Sequence, residues 1–295
     1  MTIATATRGL IGMLAVLCVP AAASAKTILF VGNSFTFAHG SPLIHYKADT
    51  VTDLNKEGIG GMPALFKVFA AEAGLSYDVT LETAGGKGFD FHYTQKLPLL
   101  DKAWDEVVLQ GYSTLDQDHP GDPALTVKYA KLLVDAFAKK KSDVKVFLDA
   151  TWSRADLTYP EGKPWHGKPI EQMGIDVEKG YELAAKESGH GSTVVPVGLA
   201  FNRAMATGVA DPNPYDGVAF GQLNLWTYDQ YHASVYGYYL ETLMVFGRVT
   251  GRDPLSLGAK ETAAVDLGLS PKQAEALEQV AHDELAAHGQ KFAAQ

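Results

Sequence analysis

Residues 27–36 read TILFVGNSFT, and how they fold decides the rest of the chain. The run Ile28-Leu29-Phe30-Val31 has no polar break, as a strand buried on both faces requires. It stops at Gly32-Asn33-Ser34, where glycine and asparagine favour a turn and the third residue carries a hydroxyl. Two readings of Ser34 are open here. It caps a helix after the turn, or it stands at the end of a buried strand as a functional group.

Working outward, four more apolar runs have strand length: YDVTLE (77–82), EVVLQ (106–110), VKVFLDA (144–150) and TVVPVG (193–198). Helical patterns separate or follow them at 62–73, 123–141, 171–188, 233–249 and from Ser270 onward. Pro63 lies in a first turn and Gly74 just past an end. Lys139, Lys140 and Lys141 suit a helix C-terminus, and Ser270-Pro271 a capped start. Strands alternating with helices predict an α/β fold with a central five-stranded parallel sheet, covered on both faces. No repeat, linker or low-complexity tract divides residues 26–295, so one domain is expected. Open α/β sheets bind ligands outside the carboxyl ends of their strands. The loops to watch are therefore Gly32-Asn33-Ser34, Ala84 to Gly88, Gly111-Tyr112-Ser113 and Thr151-Trp152-Ser153-Arg154.

The start of the chain has a different character. Arg8, an apolar run from Leu10 to Val19, Pro20 and Ala23-Ser24-Ala25 read as a secretory leader over residues 1–25. The run is too short to span a bilayer. Cys18, the single cysteine, lies inside it after Leu17, which argues against a lipid anchor. Export to the periplasm or beyond is expected, with no disulfide in what remains. The whole chain carries a net charge of −9, and the leader's one charged side chain is Arg8, so the remainder is one unit more acidic. That balance excludes nucleic acid and anionic lipid as natural partners and leaves neutral substrates open.

A serine hydroxyl becomes a nucleophile when a base takes its proton, and a carboxylate commonly orients that base. Asp229 stands three residues before His232 in DQYHASVYGYYLE, a spacing that lets the carboxylate hold Nδ1 of the imidazole. Nε2 is then free to face a nucleophile from another strand. Ser34 lacks the G-x-S-x-G context of the α/β-hydrolase nucleophile elbow, since Phe35-Thr36 follow it.

ILFVGNSFT, GGKGFDFH, VVLQGYS and DQYHASVYGYYLE together, in this order, resemble the SGNH (GDSL-like) hydrolase superfamily, and within it an uncharacterised secreted branch of the DUF4886 kind. The resemblance implies a three-layer α/β/α flavodoxin-like fold and ester hydrolysis without a cofactor. It implies Ser34 as nucleophile, His232 as base and Asp229 as its acid partner. The backbone N–H groups of Ser34 and Gly86 would be oxyanion donors, and a side chain at Gly86 would crowd the substrate. The family's G-x-N-D block is altered here to Gly111-Tyr112-Ser113-Thr114. Ser113 stands where the family has its donor asparagine, and Gln110 is the alternative amide. By the same resemblance the favoured activity is O-acetyl ester hydrolysis on carbohydrate. A binding protein on a decayed hydrolase scaffold and an O-acyltransferase with the same triad are the rival readings.

Other residues carry weaker signals. Gly85 or Gly88 could serve in place of Gly86, and Ser113 reads equally as a donor or a turn residue. Asn33 suits an unusual turn conformation. Trp152, Tyr112 and His92 are candidate substrate contacts; for His92 a bond to loop backbone is the competing reading. Trp152, Tyr159, Trp165 and Trp226 lie in polar loops, where rings either stack on sugars or cover the core edge. Asp116, Asp118 and Asp122 read as a solvated turn, and the remaining histidines lack ligand spacing, so no metal is expected.

Overall fold

The computed structural model describes residues 1–2 and 24–293. The expected leader falls almost entirely on residues 3–23, outside the described residues. Six parallel strands form one sheet: β1 (Lys26–Gly32), β2 (Thr52–Asp53), β3 (Tyr77–Thr83), β4 (Glu106–Leu109), β5 (Lys145–Asp149) and β6 (Thr193–Val195), in the order β2-β3-β1-β4-β5-β6. The expectation of five strands is corrected to six. The extra strand is β2, a two-residue edge whose Thr52 and Asp53 pair with Thr80 and Leu81. It has no apolar run to announce it.

Both faces of β1 are buried, and alternate residues enter different cores. Ile28 and Phe30 join one apolar cluster, Leu29 and Val31 the other. The first cluster is closed by α1 (Gly61–Glu72), α4 (Val197–Ala206), α5 (Val235–Thr250) and α6 (Pro271–Ala287). The second is closed by α2 (Ala124–Lys140) and α3 (Glu171–Ser188). The result is a three-layer α/β/α arrangement, and it explains why β1 reads as a continuous hydrophobic run.

Two local details depart from the sequence reading. The run at 193–198 splits, because Pro196 has no N–H with which to extend a strand and instead precedes α4. The chain after β1 forms no helix that Ser34 could cap: residues 33–40 wind through turns, and α1 begins only at Gly61. At the other end of the chain the reading holds, since Ser270 caps α6 in a full capping box with Gln273.

The strand order sets the location of a ligand crevice. From β1 the chain moves out to β2 and then through α1 to β3; from β4 it moves toward β5 through α2, on the opposite face. Adjacent strands whose connections leave in opposite directions part at their carboxyl ends. Ser34 follows β1 at that point.

Candidate active site

The turn after β1 is fixed from beneath by Gln110. Its Oε1 accepts from the Asn33 N–H at 2.9 Å and from the Thr36 hydroxyl at 3.1 Å, while its Nε2 donates to the Gly111 carbonyl. A Cβ at Gly32 would fall 2.0 Å from the Thr36 hydroxyl and 2.9 Å from that same Oε1, so only glycine fits. Asn33 then gathers three loops. Its Nδ2 donates to the carbonyls of Lys87 and Gly111, both at 2.9 Å, and its Oδ1 accepts from the Phe35 N–H. Asn33 is thus structural, as the sequence suggests. Gln110 is corrected as an oxyanion donor, because both ends of its amide are committed to the turn.

The loop after Leu225 supplies the other two groups. An antiparallel bridge between Trp226 and Ala233 closes it, and the Thr227 N–H donates to the His232 carbonyl at 2.8 Å. Asp229 Oδ1 accepts from the N–H groups of Tyr231 (3.0 Å) and His232 (2.9 Å), and its Oδ2 lies 2.6 Å from His232 Nδ1. His232 Nε2 lies 2.9 Å from Ser34 Oγ. With Nδ1 donating to the carboxylate, Nε2 is left to accept the serine proton. The structure therefore brings Asp229, His232 and Ser34 into one hydrogen-bonded line, across 198 residues of chain between serine and histidine.

The electrostatics suit a neutral base. Burial lowers the pKa of His232, the Asp229 carboxylate opposes that, and His39 and Arg154 add to the lowering, so it stays below its usual 6.5. Burial acts to raise Asp229, but hydrogen bonds from the His232 ring and from the two N–H groups outweigh it and hold the carboxyl low. Both groups are in the working protonation state at neutral pH.

The Ser34 carbonyl accepts from the His39 N–H at 2.9 Å and from the Tyr238 hydroxyl at 3.3 Å. Among the described residues no acceptor meets the N–H of Ser34, Gly86 or Ser113. Gly86 has φ +67°, and a Cβ there would meet nothing within 4 Å. Its glycine answers to the left-handed backbone, and the space before it is open. The close fit belongs to Gly88, where a Cβ would strike the Tyr112 ring at 2.3 Å. Tyr112 is half-buried and covers that loop.

The other candidate contacts are placed elsewhere. Trp152 is fully buried between the rings of Phe35 (4.3 Å) and Phe201 (4.9 Å), and its indole donates to the Tyr231 carbonyl at 3.2 Å. Trp226 is buried likewise and donates to the Ser153 carbonyl. These rings support the histidine loop and cannot stack on a substrate. Trp165 is also core. His92 is corrected on both readings: it is fully buried, and Nδ1 meets the Glu82 carboxylate at 2.5 Å, where neither substrate nor loop backbone was the partner. Three site neighbours were given no role by the sequence reading, although Arg154 lies in one of the loops it singled out. His39 lies 4.6 Å from His232 by ring centroid, Tyr231 4.0 Å, and the Arg154 guanidinium 3.5 Å from the Tyr231 ring. The sequence signals for them were weak: a histidine five residues past the serine, and an arginine in the loop after β5.

Among the described residues no cluster of three or more His, Cys, Asp or Glu could hold a metal ion, and no helix is long and apolar enough to cross a membrane. No family model matches the chain, and no curated protein matches it in sequence. Solved structures do. A DUF4886 family protein from Bacteroides uniformis is 15% identical, with a TM-score of 0.57 over 92% of this chain and 98% of that one. A protein described as a GDSL-like lipase from Parabacteroides merdae is 17% identical, with a TM-score of 0.52 over 77% and 98%. The hydrolase LAE5 from the metagenome of Lake Arreo is 16% identical, with a TM-score of 0.52 over 77% and 97%. At these identities the likeness is one of architecture: the chain has the three-layer fold of DUF4886 and GDSL-like structures.

Proposed function

We propose that the chain is an exported serine esterase, with residues 26–295 acting as one domain and Ser34, His232 and Asp229 as its triad. The observation that carries this reading is the line of contacts at 2.6 and 2.9 Å from Asp229 through His232 to Ser34. His232 Nε2 takes the Ser34 proton as Oγ bonds to the ester carbonyl carbon. The negative charge on the carbonyl oxygen rests on the N–H groups of Ser34 and Gly86, with Ser113 as third donor. The carbon–oxygen bond to the alcohol then breaks, and His232 returns the proton to the leaving oxygen. Water, deprotonated by His232, attacks the acyl-serine, and the acid leaves as Ser34 regains its proton. Asp229 holds the imidazole in its tautomer throughout.

The substrate favoured by the sequence resemblance is an ester of a small acyl group on a carbohydrate. Hydrolysis of 4-nitrophenyl acetate, butyrate and octanoate by the exported form and by Ser34→Ala tests this. Acetate turnover should exceed octanoate turnover and vanish in the variant; equal background rates would sink the esterase reading. The engaged amide of Gln110 favours one rival, a carbohydrate-binding protein on a decayed scaffold, because a short hydroxyl at Ser113 replaces an amide donor. Such a protein would bind acetylated sugars equally well with and without Ser34.

A further inference from the structure

Three rings flank His232, and they differ in what they leave free. Phe35 lies 5.7 Å away by centroid, is buried and has no polar atom. Tyr231 lies 4.0 Å away, and the Arg154 guanidinium covers its face at 3.5 Å. His39, at 4.6 Å, is half-buried, and among the described residues neither of its ring nitrogens has a hydrogen-bond partner. Neither nitrogen is sealed inside the protein either, in contrast to Nε2 of His92. An imidazole beside the base, with both nitrogens open to solvent, is a hydrogen-bonding group that the fold itself does not use.

The backbone holds His39 in place. Its N–H donates to the Ser34 carbonyl at 2.9 Å, and its carbonyl accepts from the Tyr238 hydroxyl at 3.2 Å. Ala38, fully buried, stands at φ +62°, in the left-handed region that a residue with a Cβ keeps only where its surroundings impose it. After His39 comes Gly40, where a Cβ would lie 3.3 Å from Thr227 on the histidine loop. The turn that starts at Ser34 thus ends against the loop that carries His232. Phe37 is half-buried as well, edge-on to His39 at 6.2 Å and 3.8 Å from where a Cβ on Gly85 would stand. Residues 37–39 therefore rim the site from the loop bearing Gly86 to the base.

The esterase reading says what must lie along that rim. Of the four bonds at the tetrahedral carbon, one goes to Ser34 Oγ, one to the oxyanion, one to the rest of the acyl group and one to the alcohol oxygen. His232 Nε2 protonates that last oxygen, so the alcohol lies against the histidine and away from the N–H groups that hold the oxyanion. In either neutral tautomer an imidazole donates at one nitrogen and accepts at the other. Two imidazoles side by side suit two oxygens on neighbouring carbons: the ester oxygen at His232 and a free hydroxyl at His39.

We infer that His39 is a specificity residue, hydrogen-bonding a free hydroxyl next to the ester on the alcohol side, so that the preferred substrates are esters of vicinal diols and polyols. The inference rests on the esterase reading and deepens it by fixing which side of the ester is recognised.

Ethyl acetate and ethylene glycol monoacetate differ by that one hydroxyl. Their kcat/KM values, followed as acid release, are to be compared in the intact protein, His39→Phe and His39→Gln. A change in folded fraction or in the basicity of His232 acts on both esters alike and cancels in their ratio. The intact protein should prefer the hydroxylated ester, and the ratio should drop about three- to tenfold in His39→Phe, as the loss of one hydrogen bond requires. His39→Gln, which keeps a donor and an acceptor, should retain part of the preference. An unchanged ratio in His39→Phe would overturn the assignment and leave His39 acting through His232 alone. Ser34-dependent turnover of 4-nitrophenyl acetate without turnover of the glycol ester would overturn it too, with the esterase reading intact. No Ser34-dependent turnover of any of the three would overturn the esterase reading and this assignment together.

Discussion

Two of the molecule's carboxylate–imidazole pairs, one at the site and one in the core, have opposite fates. Asp229 and His232 meet at 2.6 Å near the carboxyl edge of the sheet, with the carboxylate side chain 25% exposed. Glu82 and His92 meet at 2.5 Å at the end of β3, and both are fully buried. Each carboxylate takes Nδ1. The difference lies at the far nitrogen. Nε2 of His232 meets the Ser34 hydroxyl, whereas Nε2 of His92 has no partner among the described residues. Glu82 also receives Asn55 at 3.1 Å and has Lys96 3.6 Å away, and those partners with His92 outweigh burial and hold its carboxyl low. The lesson is that a carboxylate–imidazole pair is not itself catalytic. Access and a hydroxyl at Nε2 make the first pair a site, and burial makes the second a brace under the loop that bears Gly86.

The comparison breaks first, and hardest, on the nucleophile. Ser34→Ala should cut kcat by roughly 10^4- to 10^6-fold with the melting temperature little changed, as measured by ester hydrolysis and thermal unfolding. Next, Asp229→Asn should cut kcat by about 10^4-fold, because the imidazole is then held in the wrong tautomer. Glu82→Gln should do the converse. It should cost about 1.5–3 kcal/mol of stability by taking the charge from a buried, hydrogen-bonded carboxylate, while the rate per folded molecule stays within tenfold. A large rate loss with unchanged stability would show that the two pairs are not distinct in kind.

The pH profile sharpens the same contrast. His232 works as neutral imidazole and its pKa is lowered, so kcat/KM should hold at neutral pH and fall as pH drops through a value below 6.5. His39→Phe removes a neighbour that contributes to the lowering, so the acid limb should move to higher pH. A limb that stays put would mean that His39 does not couple to the base.

A third carboxyl site shows what burial does without a histidine. Asp149, at the end of β5, and Glu241, on α5, lie against each other in the core, and among the described residues no other group hydrogen-bonds to them. Burial pushes Asp149 up to about 7 and Glu241 well above its usual value. The folded state thus holds protons that the unfolded state has released, so stability should fall as pH rises from about 4 through 7. Asp149→Asn should flatten that slope in urea titrations.

How much of this was legible in the sequence follows from where each signal resides. β1 is buried on both faces, so its apolar run announces a parallel sheet, and Pro63, Ser270 and Pro271 announce helix starts through backbone chemistry that needs no partner. Asp229 and His232 are three residues apart, so their pairing is written locally. β2 was not legible, because a two-residue edge strand is stabilised by pairing with β3 and not by composition. Gln110 and Trp152 were misread for a related reason. Whether an amide or an indole faces substrate or core depends on partners 74 to 79 residues away. His39 and Arg154 joined the site through the turn at 33–40 and the stacking on Tyr231, which no spacing in the sequence encodes.

The central claim is that Ser34 is an activated nucleophile. Intact-mass analysis after exposure to a serine-reactive fluorophosphonate tests it most directly. The account predicts one adduct per chain, mapped to Ser34, absent in Ser34→Ala and strongly slowed in His232→Ala. An unlabelled protein, or a label on another residue that survives Ser34→Ala, would contradict it.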